Sequence, residues 1–365
     1  YLKNGDVAKI SKEGILLHRE LSSGAAAAGA LREVPSLREY KYEEIKFDVG
    51  DDVIMEVEFE SQKFCLPGII NERLAGSQIV FRELESSIVD MLLERKRFYF
   101  VGCGSSYNVG LSVAQAFTDF VGAEISEALN SVALIDRNHY VSPSDSVYIF
   151  ISQSGTTGDT YQALKYCLER GAFCIALTNN RPTTISEACH ATIDVMAGVE
   201  RAVASTKAYT CQYLQLCLLA AMLGKRKLDM QNADVHITNG HGSYIDAIKS
   251  SNPAVCNGSL RSHKNGVSYN PGSAGAGAHG LTAEKYSSFI SALRALPAGI
   301  EAALSKDINE MTNYLIGSKN RCLFLLSRGM EYATAVEAGL KISEVTQVAT
   351  KVLSCADLMH GPFAL

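Results

Sequence analysis

Several absences narrow the reading before any motif is considered. The chain has no block of lysine or arginine and no basic stripe interleaved with aromatics, and its net charge is −5. A polyanionic partner therefore has no electrostatic footprint, which excludes nucleic acid. No C-x-x-C pair occurs among the ten cysteines, and Cys167, Cys174, Cys211 and Cys217 lie inside apolar runs, where a thiol packs as a small hydrophobe. That usage fits a reducing compartment. No secretory signal opens the sequence, and its apolar stretches are too short or too interrupted to cross a bilayer, so the expectation is a cytoplasmic chain with no membrane partner. The sequence begins at Tyr1 rather than methionine and stops at Leu365 in an apolar run, so both ends read as cut.

What is present suffices for two domains of ordinary size: 365 residues, 47% of them apolar. Residues 1–75 are uneven. A β-like opening, YLKNGDVAKISKEG, gives way to an alanine and glycine stretch and then to the alternating DDVIMEVEFE, with no independent core. Ile79, Val80, Leu84, Ile88, Met91 and Leu92 predict an amphipathic helix over 77–97. Beyond it the pattern turns regular: buried strands FYFVGCG (98–104), SVYIFIS (146–152), AFCIALTN (172–179) and ATIDVM (191–196) alternate with helical segments, and a long apolar helix closes the unit near Leu228. Continuous apolar strands between helices predict an α/β fold, a doubly wound parallel sheet covered on both faces, over 76–228.

Residues 229–295 are rich in Gly, Ser, Asn and His and read as a linker. Its histidines, His236, His241, His263 and His279, lack metal-ligand spacing and read as solvated loop residues. Over 296–365 the first unit begins again: RCLFLLSRGMEYATAVEAGL overlays RFYFVGCGSSYNVGLSVAQA, with Gly104 on Gly329 and Tyr107 on Tyr332. The domain is thus duplicated, with the second copy truncated.

The stretch SQSGTT (152–157) falls where a parallel strand delivers the chain to a helix. Loops at such strand ends form the ligand crevice, and helix N-termini bring positive dipole ends to it. Ser152, Ser154, Thr156 and Thr157 supply hydroxyls and Gly155 admits close backbone approach. There is no lysine of the G-x-x-x-x-G-K-[ST] kind and no G-x-G-x-x-G spacing, so a small phosphate monoester fits better than a nucleotide. GCGSS (102–106), with Ser105 and Ser106, and VASTKA (203–208), with Ser205 and Thr206, have the same character. The three predict a pocket for a phosphorylated sugar. An ordinary serine-rich helix cap is the plainer alternative.

These residues resemble the SIS (sugar isomerase) family, whose fold is flavodoxin-like, over about 98–228 and 320–365. GCGSSYNVG is similar to the family's Cys-Gly-Thr-Ser segment, SQSGTTGDT to its Ser-Gln-Ser-Gly-Glu-Thr-Ala-Asp-Thr, and VASTKAYT matches without change. Within it they more closely resemble the branch that transfers a glutamine-derived amino group to fructose 6-phosphate and releases glucosamine 6-phosphate. In that branch YLKNGDVAKISKEG resembles the end of an upstream glutaminase domain. The resemblance implies sugar-phosphate contacts at Ser105, Ser106, Ser152, Gln153, Ser154, Thr157, Val203, Ala204 and Ser205. It implies Glu344 as the base that moves a proton between C1 and C2, Lys341 as the group that positions hydroxyls, and His360 as the ring-opening histidine, supplied across a homodimer. By spacing alone Lys341 and Glu344 read as an i, i+3 surface pair and His360 as a turn residue. No metal or organic cofactor is required.

Thr156 replaces the family's glutamate, Ala202 a glycine, and Met359 a lysine. FCLPGIINER (64–73) is a poor match to the family's Lys-Glu-Ile run, and SCADLMHGP is nearer to SIS deaminases and isomerases. A deaminase or isomerase that never uses glutamine, and a non-catalytic sugar-phosphate sensor, are the alternatives.

Overall fold

The computed structural model describes residues 6–11, 14–19, 54–251, 280–317 and 322–361. The chain divides into two compact units, Tyr1–Asp51 and Asp52–Leu365. In the first, β1 (Asp6–Ser11) and β2 (Gly14–Arg19) pair antiparallel, with Ile10 opposite Ile15.

The second unit opens with α1 (Ile54–Glu60) and α2 (Gln62–Arg73), the short hairpin β3 (Leu74–Ala75) and β4 (Gln78–Ile79), and α3 (Ser86–Glu94). Then come β5 (Arg97–Gly102), α4 (Ser105–Ala116) with a π-helical turn over Phe117–Val121, β6 (Ile125–Asn130) and α5 (Ser131–Asp136). The run continues through β7 (Ser146–Ser152), α6 (Gly158–Leu168), β8 (Phe173–Thr178), α7 (Thr184–Ala188), β9 (Ala191–Asp194) and α8 (Lys207–Ser251). The last elements are α9 (Ala283–Leu304), α10 (Asn309–Gly317), β10 (Cys322–Ser327), α11 (Glu331–Thr346), β11 (Ala349–Ser354) and α12 (Cys355–Leu358).

Five strands form one parallel sheet in the order β6-β5-β7-β8-β9. The chain goes outward from β5 to β6 and then returns to the other side, so the order reverses between β5 and β7. A crevice opens at the carboxyl ends of strands at such a reversal. All seven residues of β7 are buried, which explains its unbroken apolar run. Side chains alternate between two cores, as the pleat requires. Phe98, Phe100, Val147 and Ile149 join Val109, Leu216 and Leu219 on one face, while Tyr99, Val101, Tyr148 and Phe150 meet Leu134, Leu164 and Ile185 on the other.

The duplication is visible in the backbone. Strand β10, helix α11 and the parallel strand β11 repeat the first β-α-β unit. The equivalent glycines at the two strand-to-helix junctions, Gly104 and Gly329, both take positive φ, +55° and +61°. A side chain is disfavoured there by its own Cβ. On the β10–β11 pair, Phe324 and Leu326 are exposed.

Some boundaries differ from the sequence reading. DDVIMEVEFE alternates like a strand, yet Ile54–Glu60 is helical. Helices α1 and α2 belong to the large unit rather than to a remnant ending at residue 75, because Leu66, Ile69 and Ile70 are buried in the same core as the sheet. The helix expected over 77–97 is confined to Ser86–Glu94. The residues before it form the β3–β4 hairpin and a turn in which Arg73 donates to both carboxylate oxygens of Glu83, at 2.6 and 2.5 Å. Helix α8 does not stop near Leu228 but runs to Ser251, and α9 already covers 283–295. The expected linker therefore enters and leaves as helix. Residues 252–279, with His263 and His279, lie outside the described residues, and His236 and His241 fall on α8.

Candidate functional site

The turn after β7 is organised from within. Ser152 is 2% exposed, and its Oγ accepts the Gly155 N–H at 3.0 Å while sharing a 3.0 Å hydrogen bond with the Thr157 hydroxyl. Ser154 Oγ accepts from the Thr156 N–H and the Thr156 hydroxyl, both at 3.2 Å, which leaves its own O–H to donate outward. Gly155 has φ +69°, and a Cβ there would lie 2.2 Å from Thr183 Oγ1. Its carbonyl accepts the Ile185 N–H at 3.1 Å, so the turn is seated against the start of α7. Thr183 and Ser186 close that helix with a reciprocal capping box.

The turn points at the start of α6, whose N-cap Thr157 makes no side-chain capping bond. The first turn of a helix leaves N–H groups without intrahelical partners and carries a positive dipole end. At the neighbouring strand end, Ser105 and Ser106 begin α4 directly after Gly104, both half-buried. The two strand ends are linked by a short relay: the Thr160 hydroxyl lies 3.2 Å from Ser131 Oγ and 3.9 Å from Cys103 Sγ.

The third loop, Val199–Thr206, is held by two carboxylates that the sequence did not single out. Glu200 Oε1 accepts from the backbone N–H groups of Thr206, at 3.0 Å, and Ala208, at 3.2 Å, and the Ser205 hydroxyl donates to the same carboxylate. The amino end of α8 is therefore capped by Glu200. Glu58, on α1, pairs with Lys207 at 2.6 Å and accepts the Arg201 N–H at 2.6 Å; the two charged side chains are only 4% and 8% exposed. Lys207 also donates to the Val199 carbonyl at 2.6 Å. This pairing ties both ends of the loop to α1. Val203, at its tip, is fully exposed, and Ala204 is half-buried.

Asn179 joins this loop to the first. Its backbone N–H donates to the Gln153 carbonyl at 3.2 Å, its Nδ2 to the Gly198 carbonyl at 2.6 Å, and its Oδ1 accepts the Ala197 N–H at 2.9 Å.

On α11, Lys341 bonds Glu344 at 2.6 Å and lies 3.5 Å from Glu337. Buried Glu337 accepts from Asn108 Nδ2 at 2.8 Å, and Asn108 is three residues beyond Ser105 on α4. Glu337 was missed because nothing in AVEAGLKISE separates it from a surface glutamate. His360 is exposed after α12, its backbone N–H donating to the Asp357 carbonyl at 3.0 Å. The hydroxyl residues thus gather at adjoining strand ends and Lys341 meets Glu344. Among the described residues, no hydrogen bond or ion pair joins Lys341, Glu344 or His360 to the three loops. A group of three or more metal-ligating side chains is likewise absent among the described residues. A cavity of about 640 Å³ lies elsewhere, bordered by Ser77, Asp90, Lys225 and Tyr286.

Residues 91–222 match the SIS domain model. A glutamine–fructose-6-phosphate aminotransferase (isomerizing) of Encephalitozoon cuniculi is 28% identical over the whole chain and 44% of its own length. The Mus musculus enzyme 2 of that name is 30% identical over 74% of this chain and 32% of its own. The chain thus spans half or less of the curated relatives it matches. Among solved structures, the C-terminal domain of glucosamine-fructose-6-phosphate aminotransferase from Francisella tularensis superposes with a TM-score of 0.66 at 22% identity, covering 87% of this chain and 74% of that one. A glucosamine-6-phosphate deaminase from Thermotoga maritima gives 0.52 at 15%, covering 86% and 73%.

Proposed function

We propose that this chain, whose residues 91–222 match the SIS domain model, is the sugar-phosphate-handling part of a glutamine–fructose-6-phosphate aminotransferase, holding fructose 6-phosphate and glucosamine 6-phosphate. One observation carries the reading. The turn Ser152–Thr157 sits at the strand-order reversal, is braced through Ser152 and Gly155, and turns the Ser154 hydroxyl outward beside the amino end of α6. That arrangement suits a phosphate monoester, which needs several donors and a positive dipole end but no metal-binding set. Ser105, Ser106, Gln153, Val203, Ala204 and Ser205 complete the proposed lining.

Interconversion of aldose and ketose requires an open ring and one proton moved between C1 and C2. Glu344 is the proposed base, since a carboxylate over both carbons can serve each in turn. Its bond to Lys341 holds the carboxylate in place, and Lys341 steadies negative charge as it develops on the sugar oxygens. His360 is the proposed ring-opening group, delivered from a second copy in a homodimer. That assignment agrees with its exposure and with the absence, among the described residues, of a bond to the loops.

In the full-length protein, exchange of a C1 hydrogen of fructose 6-phosphate, or of the C2 hydrogen of glucosamine 6-phosphate, with deuterated water, followed by NMR, tests the reading. Exchange is expected, and binding without exchange would favour a sensor. Ser154→Ala is expected to lose about 1.5–3 kcal/mol of sugar-phosphate affinity, the value of a hydrogen bond to a charged group, by titration calorimetry. Unchanged affinity would remove Ser154 from the site. Glu344→Gln is expected to abolish exchange while binding falls only modestly.

A further inference from the structure

Helix α2 and helix α8 bring together two cysteines that are 146 positions apart in sequence. Cys211 is completely buried and its thiol donates to Cys65 Sγ across 3.5 Å. Cys65 is half-buried at the edge of the core, so of the two it is the residue that borders solvent while Cys211 is enclosed. The two thiols are also chemically unequal. The Cys211 thiol and the nearby Lys207 ammonium hold the Cys65 thiol below its ordinary value against the effect of burial, whereas its hydrogen bond to Cys65 and burial push the Cys211 thiol up. A thiolate is the attacking species, so the accessible member is the one suited to react first. By contrast Cys167, Cys189 and Cys217 are each pushed up to about 12 by burial, and none of them shares a thiol–thiol hydrogen bond among the described residues.

We propose that Cys65 and Cys211 are a redox modification site, a peroxidatic and a resolving thiol that close into an intrachain disulfide in the presence of a hydroperoxide. The Cys65 thiolate attacks one peroxide oxygen; an S–O bond forms, the O–O bond breaks and hydroxide leaves. Cys211 then attacks the resulting sulfenic sulfur. The S–S bond forms, and the hydroxyl departs as water with the Cys211 proton. With hydrogen peroxide, two thiols and one peroxide give one disulfide and two waters. The sulfurs must close from 3.5 Å to about 2.05 Å, a movement of the order of a rotamer adjustment with a slight approach of α2 to α8. A small dithiol reverses the reaction.

The position gives the bond a structural consequence. Cys211 is one turn beyond Lys207 on α8, and Cys65 is seven residues beyond Glu58. The disulfide would cross-link the same layers that the Glu58–Lys207 pair already joins beneath the Val199–Thr206 loop. Covalent closure of so long a loop restricts the unfolded chain, so the oxidised protein should melt at a higher temperature.

Mass spectrometry of non-reduced peptides from the full chain, titrated with hydrogen peroxide, tests the proposal independently of any sugar-phosphate activity. The expected product is the Cys65 and Cys211 peptides joined and two hydrogens lighter, formed at lower peroxide than oxidation of the exposed Cys322 and Cys355, and reversed by dithiothreitol. Cys211→Ser is expected to leave a dimedone-reactive sulfenic acid on Cys65, and Cys65→Ser to leave Cys211 unmodified. The untouched chain alone can overturn the idea. Cys65 over-oxidised to sulfinic acid, or linked to another thiol, while Cys211 still alkylates as a free thiol on unfolding would rule it out.

Discussion

Gly155→Ala is expected to destabilise the fold by about 2–4 kcal/mol, the sum of a left-handed backbone that a Cβ disfavours and overpacking against a seated neighbour. The native φ is +69°, and the added carbon would fall 2.2 Å from Thr183 Oγ1 and 2.7 Å from Thr183 Cβ. Thr183 cannot yield without breaking the capping box with Ser186 at the start of α7. The same shift would pull the Gly155 N–H from Ser152 and the carbonyl from Ile185, so the turn that presents Ser154 loses its brace. Sugar-phosphate binding should fall below detection in this variant. Gly104→Ala is the comparison without a clash: φ is +55° but the Cβ would meet open space, so only a backbone cost of about 1–3 kcal/mol applies. Urea denaturation of both variants decides the matter, and equal midpoints would dismiss the steric half of the account.

The second large effect concerns Glu58. Removing one partner of a buried ion pair leaves the other charge without compensation and typically costs about 3–5 kcal/mol. Glu58→Ala would strand the Lys207 ammonium, leaving it the Val199 carbonyl, and would take the acceptor from the Arg201 N–H. The denaturation midpoint should drop, with the slope unchanged if the denatured state is unaffected. The double change Glu58→Leu with Lys207→Met should recover most of the loss, because replacing both charges by apolar groups of similar size removes the desolvation penalty along with the attraction. A double variant as unstable as the single one would mean that the backbone acceptor, not the charge pair, is what the fold needs.

Much of the sheet was legible in the sequence because its inner strands are buried on both faces. SVYIFIS and AFCIALTN have no polar interruption to disguise them. Strand β6 was not legible: as an edge strand, ISEALN exposes alternate residues and reads as a continuation of the preceding helix and loop. The α1 segment failed for the opposite reason, since its polar and apolar residues alternate although its backbone is helical, and only Glu58 within it is buried. Glycine and asparagine in α8 suggested a linker where the helix in fact continues.

At the site, the hydroxyl loops were readable because glycine and several hydroxyls in one turn exceed what a helix cap needs. The groups that hold those loops were not. Glu58, Asn179, Glu200 and Glu337 are single polar residues whose partners lie on other elements, and no local pattern distinguishes them from solvated ones. The exposed Lys341–Glu344 pair was legible as an i, i+3 bond, and the structure has it.

Asn179 gives a hydrogen bond and receives one through the same carboxamide, with Gly198 and Ala197 as its counterparts. Hydrolysis of that amide to an acid would leave the size unchanged but replace the donor by a second oxygen, which would then face the Gly198 carbonyl. Slow chemical ageing at one position would in this way set two acceptors against each other and part the rim of the crevice, without any change of mass large enough to be noticed on a gel.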